Sequence, residues 1–151
     1  KIVLIFSLIA LISAFFIEHI LGHKPCNLCL IERIPYGISI VLITTIFFFK
    51  KNEKFFVLLL VLTFIFSLSI SIYHFGIEQG FFQESIVCNI KSFSEDVTKE
   101  DLLKQLAEKT ISCKDVTFMI FGLSLTSINI VISLIFIITL TKTYTNYEKN
   151  R

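Results

Sequence analysis

The chain has 151 residues, of which 54% are hydrophobic and 17 are Phe, and its mean hydropathy is +0.80. A single domain of this length cannot hide so much apolar surface from water, which argues against an ordinary soluble fold and for a lipid environment. The net charge of +2 is small and no basic patch is interleaved with stacking aromatics, so no nucleic-acid partner is expected.

The apolar residues fall into four blocks, 2–21, 30–49, 55–75 and 116–141. Each is long enough to cross a hydrocarbon core of about 30 Å as a helix. Helix is the expected form because a span in lipid must satisfy its own backbone. The first block sits where a signal peptide would. Its apolar stretch is long, no small-residue cleavage site follows, and three more spans come after it, so a retained helix is expected. The fold predicted is an all-α membrane protein, a four-transmembrane-helix bundle forming one domain over 1–151. It has a short first outer loop at 22–29 and a long second one at 76–115.

Charge orients the bundle. The turn Lys50-Lys51-Asn52-Glu53-Lys54, together with Lys1, Lys142, Lys149 and Arg151, concentrates cations on one side. The stretch 76–117 holds five Lys against eight acidic residues, and long loops count for little in the positive-inside rule. The termini are therefore expected in the cytoplasm, and all four cysteines on the outer side or at its membrane boundary. In the long loop, Thr98-Lys99-Glu100-Asp101 has the form of a capping box. Leu102, Leu103, Leu106 and Ala107 then give one apolar stripe, predicting a short helix that rests on the membrane surface or the bundle.

Outside the cytosol thiols tend to be oxidised, and two disulfides are the default for four cysteines. A bridge between Cys26 and Cys29 would remove little chain entropy, and such close pairs commonly carry perturbed thiol acidity. A bridge between Cys88 and Cys113 would close a longer loop, worth about 3.5 kcal/mol in chain-entropy terms, and could be purely structural. Cys29 is expected at the start of the second helix, where the dipole favours thiolate. Arg33, one turn on, shares its face and adds a cation. Arg33 at a membrane boundary needs an anionic or polar partner, or else it snorkels to the headgroups. Pro35 sits early in this helix and can open its backbone. Glu18 and His19 end the first span, and His74 and Glu78 end the third. Singly these read as interfacial residues; together, beside a Cys pair, they suggest a site that handles charge or protons. Haem attachment is excluded because Leu30, not His, follows Cys29. A four-cysteine zinc site is disfavoured, since Cys88 and Cys113 lack paired spacing, and no metal is expected.

The stretch Lys24-Pro25-Cys26-Asn27-Leu28-Cys29-Leu30-Ile31-Glu32-Arg33-Ile34-Pro35-Tyr36 resembles the disulfide bond formation protein B (DsbB) family, including its DsbI-type branch. Tyr73-His74-Phe75-Gly76-Ile77-Glu78 is similar to a second family motif. Cys113-Lys114-Asp115-Val116, followed by Phe121-Gly122-Leu123-Ser124, is similar to a third. The chain departs from the family in having Phe81 and Phe82 where Trp is frequent, Glu84-Ser85 where Gly-Pro is frequent, and Glu18 where Gln is common. The resemblance implies a bacterial inner-membrane oxidoreductase with its active cysteines on the periplasmic side. It would reoxidise a periplasmic DsbA-like thioredoxin-fold dithiol protein and pass the electrons to membrane quinone, ubiquinone or menaquinone. The implied disulfides are Cys26–Cys29 and Cys88–Cys113. Cys88 would take the partner, Cys113 would exchange with Cys26, and Cys29 would be released toward the quinone. Arg33, Glu32 and His74 join Cys29 as the quinone-contacting residues implied.

Two other readings use the same cysteines. A vitamin K epoxide reductase-like enzyme also has four helices and four cysteines, but its close pair sits late in the helix order. A non-enzymatic membrane protein could merely staple its loop. Topology can be tested directly. A Cys placed at Asn52 should resist a membrane-impermeant thiol reagent in intact cells, and ready labelling there would reverse the orientation.

Overall fold

A computed structural model describes residues 2–23, 25–48, 53–83, 88, 113–114, 119–120 and 122–149. Its elements are α1 (Ile2–His19), α2 (Asn27–Ile31), α3 (Ile34–Phe48), α4 (Glu53–Glu78), β1 (Met119–Ile120), β2 (Leu123–Ser124) and α5 (Leu125–Lys149). Among the described residues, four segments are long and apolar enough to cross a membrane: Ile2–His19, Asn27–Phe48, Glu53–Glu78 and Leu125–Asn146. The protein is thus a four-helix membrane bundle. The expected loop helix around 98–107 and the Lys50–Asn52 part of the turn lie outside the described residues.

The second span is two helices in series. Pro35 has no N–H to give the carbonyl of Ile31, and its ring crowds that carbonyl. The chain tightens instead, with the Arg33 N–H donating to the Leu30 carbonyl at 3.1 Å, and α3 restarts at Ile34. Glu32 and Arg33 occupy the turn between α2 and α3, so two charged residues sit where a straight helix would have carried them past the cysteines.

The fourth span begins later than the expected Val116, which itself lies outside the described residues. Met119 pairs with Ser124 and Ile120 with Leu123 in a short antiparallel hairpin, and Gly122 supplies the positive φ of 81° at its turn. Ser124 then caps α5, its hydroxyl accepting from the Ser127 N–H at 3.2 Å. The all-α expectation holds for the bundle, with this two-stranded element as an addition. At the other loop boundary, the Phe81 and Phe82 N–H groups both donate to the Gly76 carbonyl, at 2.8 and 3.1 Å. The Phe82 ring stacks on Tyr73 and lies over Gly76, where a β-carbon would come within 2.2 Å of it.

Helix α4 packs most extensively on α5, while α1 and α4 both pack on α3. The core is aromatic: Phe64 and Phe136 meet edge to face at 4.9 Å, and Tyr36 and Phe6 continue the edge-to-face contacts, on Phe64 and Phe136 respectively. Leu60, Ile43, Val3 and Leu140 complete it. A polar seam continues from this core toward the cysteines. The Tyr36 hydroxyl donates to Asn129, whose amide donates to Ser71 at 2.8 Å, and Ser133 donates to Ser67 at 3.3 Å. Ser7 and Ser39 pair at 2.8 Å between α1 and α3. Outward hydroxyls such as Thr44, Thr45, Thr139 and Thr143 bond carbonyls four residues back, which lets them face lipid.

Packing should outweigh the seam in holding the bundle together. Phe64→Ala is expected to destabilise it by about 3 to 5 kcal/mol, the usual cost of truncating a buried Phe. Asn129→Ala should cost only about 1 kcal/mol, since hydrogen bonds between membrane helices are individually weak. Unfolding in mixed detergent micelles checks the order, and a larger loss at Asn129 would reverse it.

Candidate active site

Helix α2 begins at the cysteine pair. Cys26 is its N-cap, with extended backbone (φ −73°, ψ 165°), and its sulfur accepts the Cys29 N–H at 3.3 Å. Cys26 is thus the cap, and Cys29 lies in the first turn of α2, at the helix start expected for it. Both are free thiols here, the reduced form of the implied Cys26–Cys29 disulfide. Cys26 is buried and Cys29 half-buried.

His74 of α4 lies against this cap. Its Nε2 is 3.5 Å from the Cys26 sulfur, and its Nδ1 is 3.2 Å from Glu32 Oε1 and 3.3 Å from the Thr126 hydroxyl. Thr126 in turn donates to Glu78 Oε1 at 2.7 Å. Among the described residues, the other oxygen of Glu78 is the one buried polar side-chain atom without a hydrogen bond. One imidazole thus joins α2, the α2–α3 turn and α5 to α4. The Cys29 thiol and then the His74 ring bring the Cys26 thiol down to about 5 against the opposing pull of burial. The sulfur atoms and one ring nitrogen of His74 lie within 4.8 Å of one another.

Arg33 finds its anionic partner across the bundle. Its guanidinium donates to Glu18 of α1 at 2.5 Å and lies over the Phe15 ring at 5.4 Å. The headgroup-anchor readings of Glu18 and Arg33 give way to this pair. His19 does not join the site; its Nδ1 bonds the Phe15 carbonyl on its own helix. Thr126, at the first turn of α5, was not singled out from sequence. It stands one step beyond Leu125 in an apolar run, and only its spatial neighbours mark it.

Cys88 and Cys113 are joined in a disulfide, as the resemblance implies. Both pack in one cluster with Cys26, Leu28 and Ile77, against which Cys29 and Tyr73 also lie. All four cysteines thus gather at one end of the bundle. The loop disulfide is buried, with Cys88 5% and Cys113 1% exposed.

A cavity of about 310 Å³ opens beside the pair, between α1, the α2–α3 segment and α5. Ile9, Ala10, Ala14 and Ile17 form one apolar wall, and Ile128 and Ile132 face them. Cys29, Glu32, Arg33, Tyr36 and Thr126 provide the polar groups. Cys29 lines this space and Cys26 does not.

A membrane bundle with a close thiol pair, a buried imidazole against one sulfur and a disulfide in the same buried cluster has the makings of a membrane thiol oxidoreductase. Residues 1–142 match the family described as disulfide bond formation protein DsbB, and the chain belongs to that family. It is also similar to an uncharacterised protein of Rickettsia prowazekii (strain Madrid E), with 29% identity over 136 residues, 89% of this chain and 79% of the relative.

The acidity of the pair is measurable by thiolate absorbance. In reduced protein with Cys88→Ser and Cys113→Ser, one thiolate should persist through neutral pH and be lost as pH falls through about 5. His74→Gln should move that transition upward, since it removes a group that favours the charged sulfur. A first transition near the ordinary thiol range, about 8.5, would contradict the assignment.

Proposed function

We propose that this chain is a quinone-dependent protein-disulfide oxidoreductase of the bacterial inner membrane. It oxidises a periplasmic, thioredoxin-fold dithiol partner of the DsbA type and delivers the electrons to ubiquinone or menaquinone. The observation that carries this reading is the placement of one sulfur of the pair, Cys29, on the wall of an apolar cavity. That sulfur lines a space suited to a lipid-soluble ring, while Cys26 belongs to the same buried cluster as the Cys88–Cys113 disulfide.

The residues fit the cofactor. The cavity has apolar walls, a volume in the range of small-molecule sites, and hydrogen-bonding groups at the cysteine end from Glu32, Arg33 and Tyr36. A bound quinone supplies a sink for two electrons and two protons that stays in lipid. The chain's own groups do the rest. A partner thiolate attacks Cys88, forming a mixed disulfide and freeing Cys113. Cys113 attacks Cys26 of the oxidised pair, and Cys29 leaves as a thiolate beside the cavity. The partner's second thiol resolves the mixed disulfide, so two partner thiols become one disulfide and Cys88 is released. Cys88 then attacks Cys113, remaking the loop disulfide and freeing Cys26, which leaves the two electrons on the Cys26/Cys29 dithiol beside the cavity. Arg33 has five N–H donors, and the one assigned to Glu18 leaves others to stabilise negative charge at the cavity mouth. His74 can hold a proton at Nε2 toward Cys26 while Glu32 receives its other ring nitrogen. Because the loop disulfide is buried, engagement of the partner must first uncover Cys88.

The deciding experiment is quinone reduction by a reduced partner in membranes. Cys29→Ser should leave the partner able to engage the loop but stop steady turnover. Removing Cys113, with a partner lacking its resolving Cys, should trap a mixed disulfide that maps to Cys88. Full turnover without Cys29, or an adduct at Cys29, would reverse the proposed electron flow. Arg33→Ala should raise the quinone requirement about tenfold, the loss of roughly one charged hydrogen bond, while leaving loop exchange little changed.

A further inference from the structure

The reduced pair and His74 together have the form of a metal site. We propose that Cys26, Cys29 and His74 bind a thiophilic divalent cation of the zinc type when the pair is reduced, with Glu32 orienting the histidine.

Distance is the first support. Zinc holds thiolate sulfur at about 2.3 Å and imidazole nitrogen at about 2.0 Å, and arms of those lengths at a tetrahedral angle set S and N about 3.5 Å apart. Cys26 Sγ and His74 Nε2 are separated by 3.5 Å. The three ligand atoms lie within 4.8 Å of one another, close enough for one ion to reach all of them.

The second support is independent of the ligands. A histidine that binds metal usually gives its other ring N–H to a carboxylate, which fixes the ring and its tautomer. His74 Nδ1 is 3.2 Å from Glu32 Oε1, and Glu32 is itself buried. Charge is the third. Both sulfurs bind as thiolates, and two thiolates with a divalent cation make a neutral cluster, which suits a position at the lipid boundary. Three protein ligands leave one position for water, as in exchangeable zinc sites, and Cys29 gives the site access from the cavity.

The site exists only in the reduced protein, because a Cys26–Cys29 disulfide has no thiolate to offer. Metal occupancy would therefore report the redox state of the pair and block its reoxidation. The four-cysteine arrangement considered from sequence lacked the histidine, which lies 48 residues from Cys26.

The test uses full-length, detergent-solubilised protein with Cys88→Ser and Cys113→Ser, so that only the pair contributes thiols. Cobalt(II) added to the reduced protein should bind at one equivalent, with a thiolate-to-metal absorption band and the strong visible bands of tetrahedral coordination, and zinc should displace it. Prior oxidation of the pair should abolish uptake. Glu32→Gln should weaken zinc binding about 10- to 100-fold while keeping the thiolate band. A weak octahedral spectrum without that band, or equal uptake by oxidised protein, would overturn the proposal. So would unchanged affinity in a His74→Gln variant that keeps its helical circular dichroism. The cobalt spectrum needs no variant at His74 and no quinone, so its outcome stands apart from that of the proposed reaction.

Discussion

His74 is 2% exposed, and both of its ring nitrogens must find partners there, because a buried polar group left unpaired costs about 1 to 3 kcal/mol. The partners come from three different elements: Cys26 at the cap of α2, Glu32 in the turn after it, and Thr126 at the start of α5. Meeting that demand fixes how deep α2 sits and how α5 enters the bundle. It also brings a sulfur and a carboxylate to opposite sides of one imidazole. The cavity beside Cys29 lies between α1, α5 and the α2–α3 segment that His74 contacts.

The break before Pro35 is the local event that makes this arrangement available. A continuous helix would advance by about 100° per residue and send Glu32 and Arg33 away in fixed directions. In the turn, Glu32 reaches inward to His74 while Arg33 crosses to Glu18 on α1. Two adjacent, oppositely charged residues thus serve two different helices. The missing N–H of one proline accounts for the geometry better than any feature of the cysteines themselves.

The spans were legible because lipid imposes a crude requirement, length and apolarity, which the sequence meets in four blocks. Their ends were less so. The fourth block looked continuous from Val116, because Met119, Ile120, Leu123 and Leu125 are as apolar as the helix, and hydropathy does not separate a hairpin from a span. Gly122 and Ser124 were the available signals, one for a turn and one for a cap. At the candidate site, motif and position in the sequence single out the cysteines, Glu32, Arg33 and His74, which the structure brings to one end of the bundle. The ion pair with Glu18 was not legible, because nothing local in a sequence says that residues on α1 and after α2 will face each other. The capping role of Cys26 was missed for a different reason. Hydropathy marks where apolarity begins, whereas a cap is set by the last extended residue before the first helical bond.

Beyond Ser67 on α4 and Ser133 on α5, every described buried side chain in those helices is apolar: Phe64, Leu60 and Val57 on one, Phe136 and Leu140 on the other. Glu18, Glu32, Arg33, His74 and Glu78 all lie at the opposite end. In a polarised bilayer the voltage falls chiefly across the dry, low-dielectric half, where full passage of a unit charge is worth about 2.3 kcal/mol per 100 mV. Charges that move only among groups at the cysteine end traverse little of that field. Chemistry carried out there runs nearly independent of membrane potential, and the bundle's far half acts as its dielectric.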